Sequence, residues 1–394
     1  AVSGQLKDGQ AIRSIISFDI SFYLEEAAEH DIGCSALAEP ECDCMTETGE
    51  HAENCASLGK ASCDCGADER TDRVEVQPDT NVGNVNVTIR GGKFSTEGTL
   101  EVFHMADDAE AVECSVSEEE IAFEALSFSP YTLVELQDAF EAGNGSSADP
   151  YQIKTAQQMA NLSALVDAGN NFNGVYFKLI EDIDLSTVCG ENLGSWQPIG
   201  KVVPKDDQWN PYDYTYTFRG VFDGNDKTVS GLYINEPEKD YQGLFGYTYR
   251  GGQMKNLTVK GQVTGHDYIG LLCGYSSSAT VKNVSTDGAV KGNENVGLLL
   301  GYCNYGTVAD NAVKGSAVGT ANVGGLIGAA YVTVDRCQAD AVVTGSTYVG
   351  GLTGWQKGNP INDGRVYGSV SGGSCVGGIT GQAYGVVQNC AAYA

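Results

Sequence analysis

From Gly243 onward the apolar positions fall in short β-branched runs cut by Gly, Asn, Asp and Ser. Val281-Lys282-Asn283-Val284 followed by Ala289-Val290 is one such set, and Val334-Asp335-Arg336-Cys337 followed by Ala341-Val342-Val343 is another. These runs are too short for helices and suit strands of three to five residues. Glycine-bounded apolar segments punctuate them: Gly243 to Gly246, Gly270 to Gly274, Gly297 to Gly301, Gly324 to Gly328, Gly350 to Gly354 and Gly377 to Gly381. The closing glycines are spaced 28, 27, 27, 26 and 27 residues apart. A near-constant period returning six times predicts a solenoid. Three strands and three turns fill one period, which is one coil of a parallel β-solenoid. A lone coil cannot bury its apolar face, whereas stacked coils share a continuous core and extend roughly 4.8 Å each. The glycines are expected to supply positive φ at the corners. The pattern breaks off about half-way through a coil at Ala394, and the chain opens at Ala1 without Met or a signal-peptide pattern. The natural protein is therefore expected to continue, and the chain to be a processed or excised fragment.

The G-G-L-x-G core, followed by V-x-N and a short V-x-G strand, resembles the GLUG repeat of bacterial surface proteins over about residues 243–394. The resemblance implies a surface or secreted protein, in a group that includes non-catalytic parts of some immunoglobulin A peptidases, and it carries no catalytic residues. Asn256, Asn283 and Asn389 hold the motif's asparagine position, but Asp310 and Arg336 replace it in two coils, so an asparagine ladder would be interrupted.

Residues 137–242 read as the entry to the same solenoid. A loop of turn formers spans Gly143 to Tyr151. Met159, Leu162, Leu165 and Val166 then follow helical spacing, Thr155 and Gln158 fit a capping box, and Gly169 ends the run. This one helix is expected to cover the edge of the first coil. Phe218 to Asn225 and Gly231 to Asn235 resemble the segment that commonly precedes GLUG repeats, placing the start of the β-helix near residue 150. An insertion from Lys205 to Thr217 brings Asp206, Asp207, Trp209, Tyr212, Tyr214 and Tyr216 together. Flat rings with carboxylates suit a sugar-binding loop; equally, they suit a hairpin whose tyrosines pack on the solenoid flank.

The front of the chain differs. The 394 residues carry a formal charge of −29, with net charges of −21 over residues 1–130, −10 over 131–242 and +2 over 243–394. This shift marks a domain boundary. The acidity argues against nucleic-acid partners, whose phosphates need Lys and Arg, and no apolar run is long enough for membrane insertion. His30-x3-Cys34-x7-Cys42-x-Cys44 recurs 21 residues later as His51, Cys55, Cys63 and Cys65. Each Cys3His set is a tetrahedral zinc complement, so two structural zinc ions would fit. Cys42, Cys44, His51 and Cys55 form an alternative set. A disulfide framework and an unligated spacer are the other readings, and the repeating His speaks against the disulfides. The remaining seven Cys are scattered and read as buried thiols. Residues 71–136 alternate with period two and suggest a small β-sandwich-like accessory domain. Residues 1–29 hold a strand, Ile15 to Tyr23, with no assigned place.

Catalytic candidates are sparse. His104 ends a strand, His266 sits in a turn, and no G-x-S-x-G, H-E-x-x-H or phosphate-binding glycine loop is present. The cluster of Glu181, Asp182, Asp184, Asp223 and Asp226 is a candidate calcium site. The fold expected is all-β: a parallel β-solenoid with one capping helix at 137–242, GLUG-type repeats at 243–394, and in front a 30–70 Cys/His segment and the 71–136 β domain. The function expected is that of a non-catalytic, extracellular or cell-wall-associated adhesin-like protein binding a glycan or protein. A carbohydrate-active β-helix enzyme and the non-catalytic part of a secreted peptidase are the alternatives.

Overall fold

A computed structural model describes residues 10–19, 23–26, 72–75, 85–90, 99–105, 109–116, 120–125, 130–206 and 211–393. The chain divides, in the main, between Gln137 and Asp138. The described elements of the front unit are β-strands. One sheet has four strands in the order Gln10–Asp19, Pro130–Asp138, Thr99–Met105, Ala109–Val112, and another has three, Val85–Arg90, Glu120–Ala125, Cys114–Val116. Val102 in the first sheet and Ile121 and Phe123 in the second are buried. Pro130 opens its strand, where a missing N–H costs least. The short strands Tyr23–Glu26 and Asp72–Glu75 pair antiparallel, Tyr23 opposite Glu75 and Glu26 opposite Asp72. They hold together the two ends of the segment bearing His30, Cys34, Cys42, Cys44, His51, Cys55, Cys63 and Cys65, which itself lies outside the described residues.

The rear unit is a parallel β-solenoid. Nine rungs stack in register through Tyr151, Phe177, Val221–Phe222, Met254, Val281, Val308, Val334, Ile361 and Val387. Phe177, Phe222, Met254, Val281, Val308, Val334 and Ile361 form one fully buried column. Its side chains run from aromatic at the first coils to β-branched at the later ones. Phe140, Phe172, Phe218 and Phe245 thicken the early core around Phe177 and Phe222. Helix α1, Ala156–Asp167, leaves the chain between the first two rungs. Both halves of its capping box form: Thr155 Oγ1 accepts from Gln158 N and Gln158 Oε1 from Thr155 N. Met159, Leu162 and Val166 join the solenoid core. No helix among the described residues is long and apolar enough to cross a membrane.

The motif glycines have a different role from the one expected. None of Gly246, Gly274, Gly301, Gly328, Gly354 and Gly381 has positive φ. They are required because backbone packs on backbone. A Cβ at Gly274, Gly301, Gly328, Gly354 or Gly381 would lie 2.4–2.6 Å from main-chain atoms of the preceding coil. The left-handed corners are occupied mostly by other residues. Asn256, Asn283, Asp310, Arg336, Asp363 and Asn389 share one corner, with φ between +49° and +59°. Asparagine and aspartate tolerate this conformation better than other side chains. The asparagine ladder is real but short: Asn256 Nδ2 donates to Asp223 (3.0 Å) and Asn283 Nδ2 to Asn256 (3.1 Å). At the next coils a bidentate Arg336–Asp310 pair (2.7 and 3.0 Å) takes over. The ladder is thus continued by charge where the asparagines stop.

Candidate binding face

The residue after each closing glycine forms a row on one strand of the solenoid. In register it reads Tyr247, Tyr275, Tyr302, Ala329, Trp355 and Gln382. The next position inward, Thr248, Ser276, Cys303, Ala330, Gln356, is buried. The row lies on the opposite side of the strand, where Tyr275, Tyr302 and Trp355 are half-buried and Tyr247 is covered by its neighbours, and its rings, 27 or 28 residues apart in sequence between adjacent coils, meet across the coils. Tyr247 stacks on Tyr275 at 4.5 Å and Tyr275 on Tyr302 at 4.6 Å. Tyr331 leans on Tyr302 at 5.3 Å, Trp355 meets Tyr331 edge-on at 5.8 Å, and Tyr384 follows at 6.5 Å from Trp355.

A second row lies at the adjoining left-handed corner: Tyr241, Tyr268, Asn295, Asn322, Tyr348 and Cys375. Tyr241 stacks on Tyr268 at 4.9 Å, and both touch the first row. The insertion adds a third contribution. Val203–Pro204 pairs with Tyr212–Asp213 as a hairpin, and Tyr214 stacks on Tyr249 at 4.5 Å. Asp213 is held below the usual carboxylate range, chiefly by the Thr215 hydroxyl and backbone N–H. Tyr212 is exposed, Tyr216 faces Lys201, and Asp206 is exposed; Asp207 and Trp209 lie outside the described residues. Of the insertion residues, Tyr212 and Tyr214 thus belong to an aromatic face of twelve linked rings.

Burial pushes the phenols of Tyr214, Tyr241, Tyr247, Tyr268, Tyr275 and Tyr302 upward; neighbouring phenols add to the effect except at Tyr275, where hydrogen bonds with Asn304, Tyr247 and Tyr302 oppose it. They remain neutral hydroxyls able to donate and accept. Where rings stack in parallel they cover one another's faces and show their rims. The row changes tilt around Tyr331, Trp355 and Tyr384, where rings meet edge-on and Tyr348 stacks on Trp355 at 6.4 Å. There Lys357 lies over Tyr331 and Trp355 at 5.0 and 5.5 Å. Trp355 Nε1 is buried without a partner, as is Asn322 Oδ1.

Of the five candidate calcium carboxylates Glu181, Asp182, Asp184, Asp223 and Asp226, three are engaged with neighbouring backbone and side chains. Asp182 accepts from Thr228 N (2.8 Å), Asp184 from Ser186 N (3.0 Å), and Asp223 from Asn225 N, Asn256 and Lys255. Cys189, Cys273, Cys303 and Cys337 are buried thiols outside any disulfide. Burial pushes Cys273 and Cys303 up to about 12 and Cys337 up to about 11. A shallow depression of about 440 Å³ lies on different strands, lined by Cys189, Gly231, Tyr233, Gly261, Gln262 and Gly288.

No family model matches the sequence. Over 130 residues, 33% of its length, the chain is 31% identical to a candidate Gly-rich membrane protein of Evansella cellulosilytica, of which the match covers 12%. Over 137 residues, 34% of its length, it is 33% identical to halomucin of Haloquadratum walsbyi, of which the match covers 1%. The chain thus matches only a small part of each relative. Among solved structures, a candidate immunoglobulin A1 protease from Bacteroides ovatus aligns with a TM-score of 0.49 and 21% identity, over 64% of this chain and 78% of that one.

Proposed function

We propose that the chain is a non-catalytic binding body of a surface or secreted protein, and that its aromatic face takes up glycan. The observation that carries this reading is the network of twelve linked aromatic rings, mostly half-buried, which ends in half-buried Tyr331 and Trp355, exposed Tyr384 and the Lys357 ammonium. Sugars present flat C–H faces to rings and hydroxyls to phenols and amines. The names of the partial relatives, a Gly-rich membrane protein and halomucin, support a surface or secreted setting, as does the repeat's resemblance to GLUG proteins. Zinc or disulfides at residues 30–65 would serve a structural role in the same reading.

A second reading has one observation in its favour. Asp240 and Asp267 bring two carboxylates together at a corner beside the tyrosine rows, and a carboxylate pair is what glycoside hydrolysis needs. Asp240 is exposed and Asp267 half-buried, both in bends of the chain between strands. The test is affinity electrophoresis of the full chain against soluble β-glucan, xylan, chito-oligosaccharides and mucin, with reducing-end release followed in parallel. Retention without release supports the binding reading. Tyr331→Ala and Trp355→Ala are expected to weaken retention roughly two- to tenfold each, the worth of one aromatic contact. Release of reducing ends that is lost in Asp240→Asn or Asp267→Asn would establish the enzyme instead.

A further inference from the structure

Three successive coils place a carboxylate at one corner position: Asp240, Asp267 and Glu294. On another edge of this solenoid, Asp223 and Asp310 each meet a basic side chain from the same or a neighbouring coil. Lys255 lies 3.2 Å from Asp223, and Lys282 and Arg336 both reach Asp310. At the Asp240 corner no such base arrives. Lys239 turns to Glu236 at 3.1 Å, and among the described residues the sole basic partner of Asp240 and Asp267 is the imidazole of His266. His266 Nδ1 stands 2.9 Å from Asp240 Oδ1 and 3.7 Å from Asp267 Oδ1. One ligand atom from each of the three residues falls within 4.8 Å of the others.

We propose that Asp240, His266 and Asp267 form a binding site for one first-row divalent transition ion such as zinc. Imidazole nitrogen with two carboxylates is a donor set for such ions, whereas calcium asks for more oxygens than this corner offers. The carboxylates are already aimed. Asp267 Oδ1 accepts from Glu294 N and Asn293 Nδ2, both at 3.0 Å, and Asp240 Oδ1 accepts from Asp267 N at 3.1 Å. The ion would replace the proton on Nδ1 and supply the positive charge that the corner lacks. Three protein ligands leave a coordination position open. That position adjoins the stacked pair Tyr241 and Tyr268, whose residues follow Asp240 and Asp267 in the chain.

The test must separate this site from the Cys-rich segment. The full chain, stripped with chelator, is titrated with Co2+ and followed by visible absorption and native mass spectrometry. Thiolate ligands give intense sulfur-to-cobalt bands, whereas a nitrogen–oxygen site gives only weak d–d bands. A cobalt ion bound without thiolate bands is expected, and His266→Gln and Asp240→Asn should each remove that ion or weaken it at least tenfold. The thiolate-linked signal and the metal-free urea midpoint should stay as in the unsubstituted chain. Absence of any thiolate-free ion, or its survival at full affinity in both variants, would overturn the proposal.

Discussion

Replacing Gly301 by alanine would place a Cβ 2.4 Å from Ile269 N, 2.5 Å from the Tyr268 carbonyl carbon and 2.6 Å from Gly274 O. Carbon contacts settle near 3.5–4.0 Å, so one coil must move by about 1 Å from the next. The atoms in the way are main chain and cannot rotate aside. The shift strains the hydrogen bonds that join these coils, among them Tyr268 N to Glu294 O (2.9 Å) and Ile269 N to Asn295 O (3.0 Å). Overpacking costs about 1–3 kcal/mol, and two weakened buried hydrogen bonds add about 1 kcal/mol each. The expected loss is therefore about 3–5 kcal/mol. Gly358→Ala is the comparison. Gly358 has φ +80° and no heavy atom within 4 Å of the new Cβ, so the cost is the left-handed conformation alone, about 1–2 kcal/mol. All three Trp of the chain lie at or beyond Trp196, so tryptophan fluorescence during urea unfolding reports on the solenoid unit. With a slope of about 2–3 kcal/mol/M, the Gly301→Ala midpoint should fall by about 1–2.5 M. A Gly301→Ala protein no less stable than Gly358→Ala would refute the claim that the motif glycines exist for backbone contact between coils.

Other consequences can be checked in the same material. Asn311 is buried, with Oδ1 accepting from Val284 N (2.9 Å) and Nδ2 donating to Val281 O (3.1 Å); Asn311→Ala leaves both orphaned and should cost about 2–4 kcal/mol by urea unfolding. Iodoacetamide at pH 8 followed by peptide mapping should label exposed Cys375 while leaving Cys273, Cys303 and Cys337 unmodified until the chain unfolds, because burial raises those thiols to about 11–12. Burial pushes the Asp223 carboxyl up, but hydrogen bonds from Asn256 and Asn225 and the Lys255 ammonium outweigh it and leave it below its ordinary value. Its contribution is therefore present above the unfolded pKa of about 3.9 and disappears as pH falls through the lower folded value. Asp223→Asn should accordingly lower the urea midpoint at pH 7, and the gap to the unsubstituted chain should narrow below about pH 4.

What could be read from sequence was whatever the chain encodes locally or by repetition. The helix was legible because Thr155, Gln158 and the Met159–Leu162–Val166 spacing act within four residues of one another, and both halves of the capping box formed. The solenoid was legible because its period returns six times. The role of the motif glycines was not, since the atoms that exclude a side chain belong to a coil about 30 residues away. The asparagine position was noticed as a ladder, but its deeper cause is the left-handed corner, which Asp310 and Arg336 also adopt. The aromatic face was missed, although a signal existed: Tyr247, Tyr275, Tyr302 and Trp355 each follow a closing glycine. The insertion is richer in aromatic and acidic residues and carries the stronger local signal, and its Tyr214 stacks on the same face.

The most direct test of the aromatic face is hydroxyl-radical footprinting of the full chain with and without the soluble glycan that it retains best. Bound glycan should protect Tyr331, Trp355 and Tyr384 together, with Tyr302 at the margin, and leave exposed Tyr305 and Tyr393 as reactive as before. Protection at Tyr305 or Tyr393 with the Trp355 cluster unchanged would contradict the account and move the binding surface elsewhere.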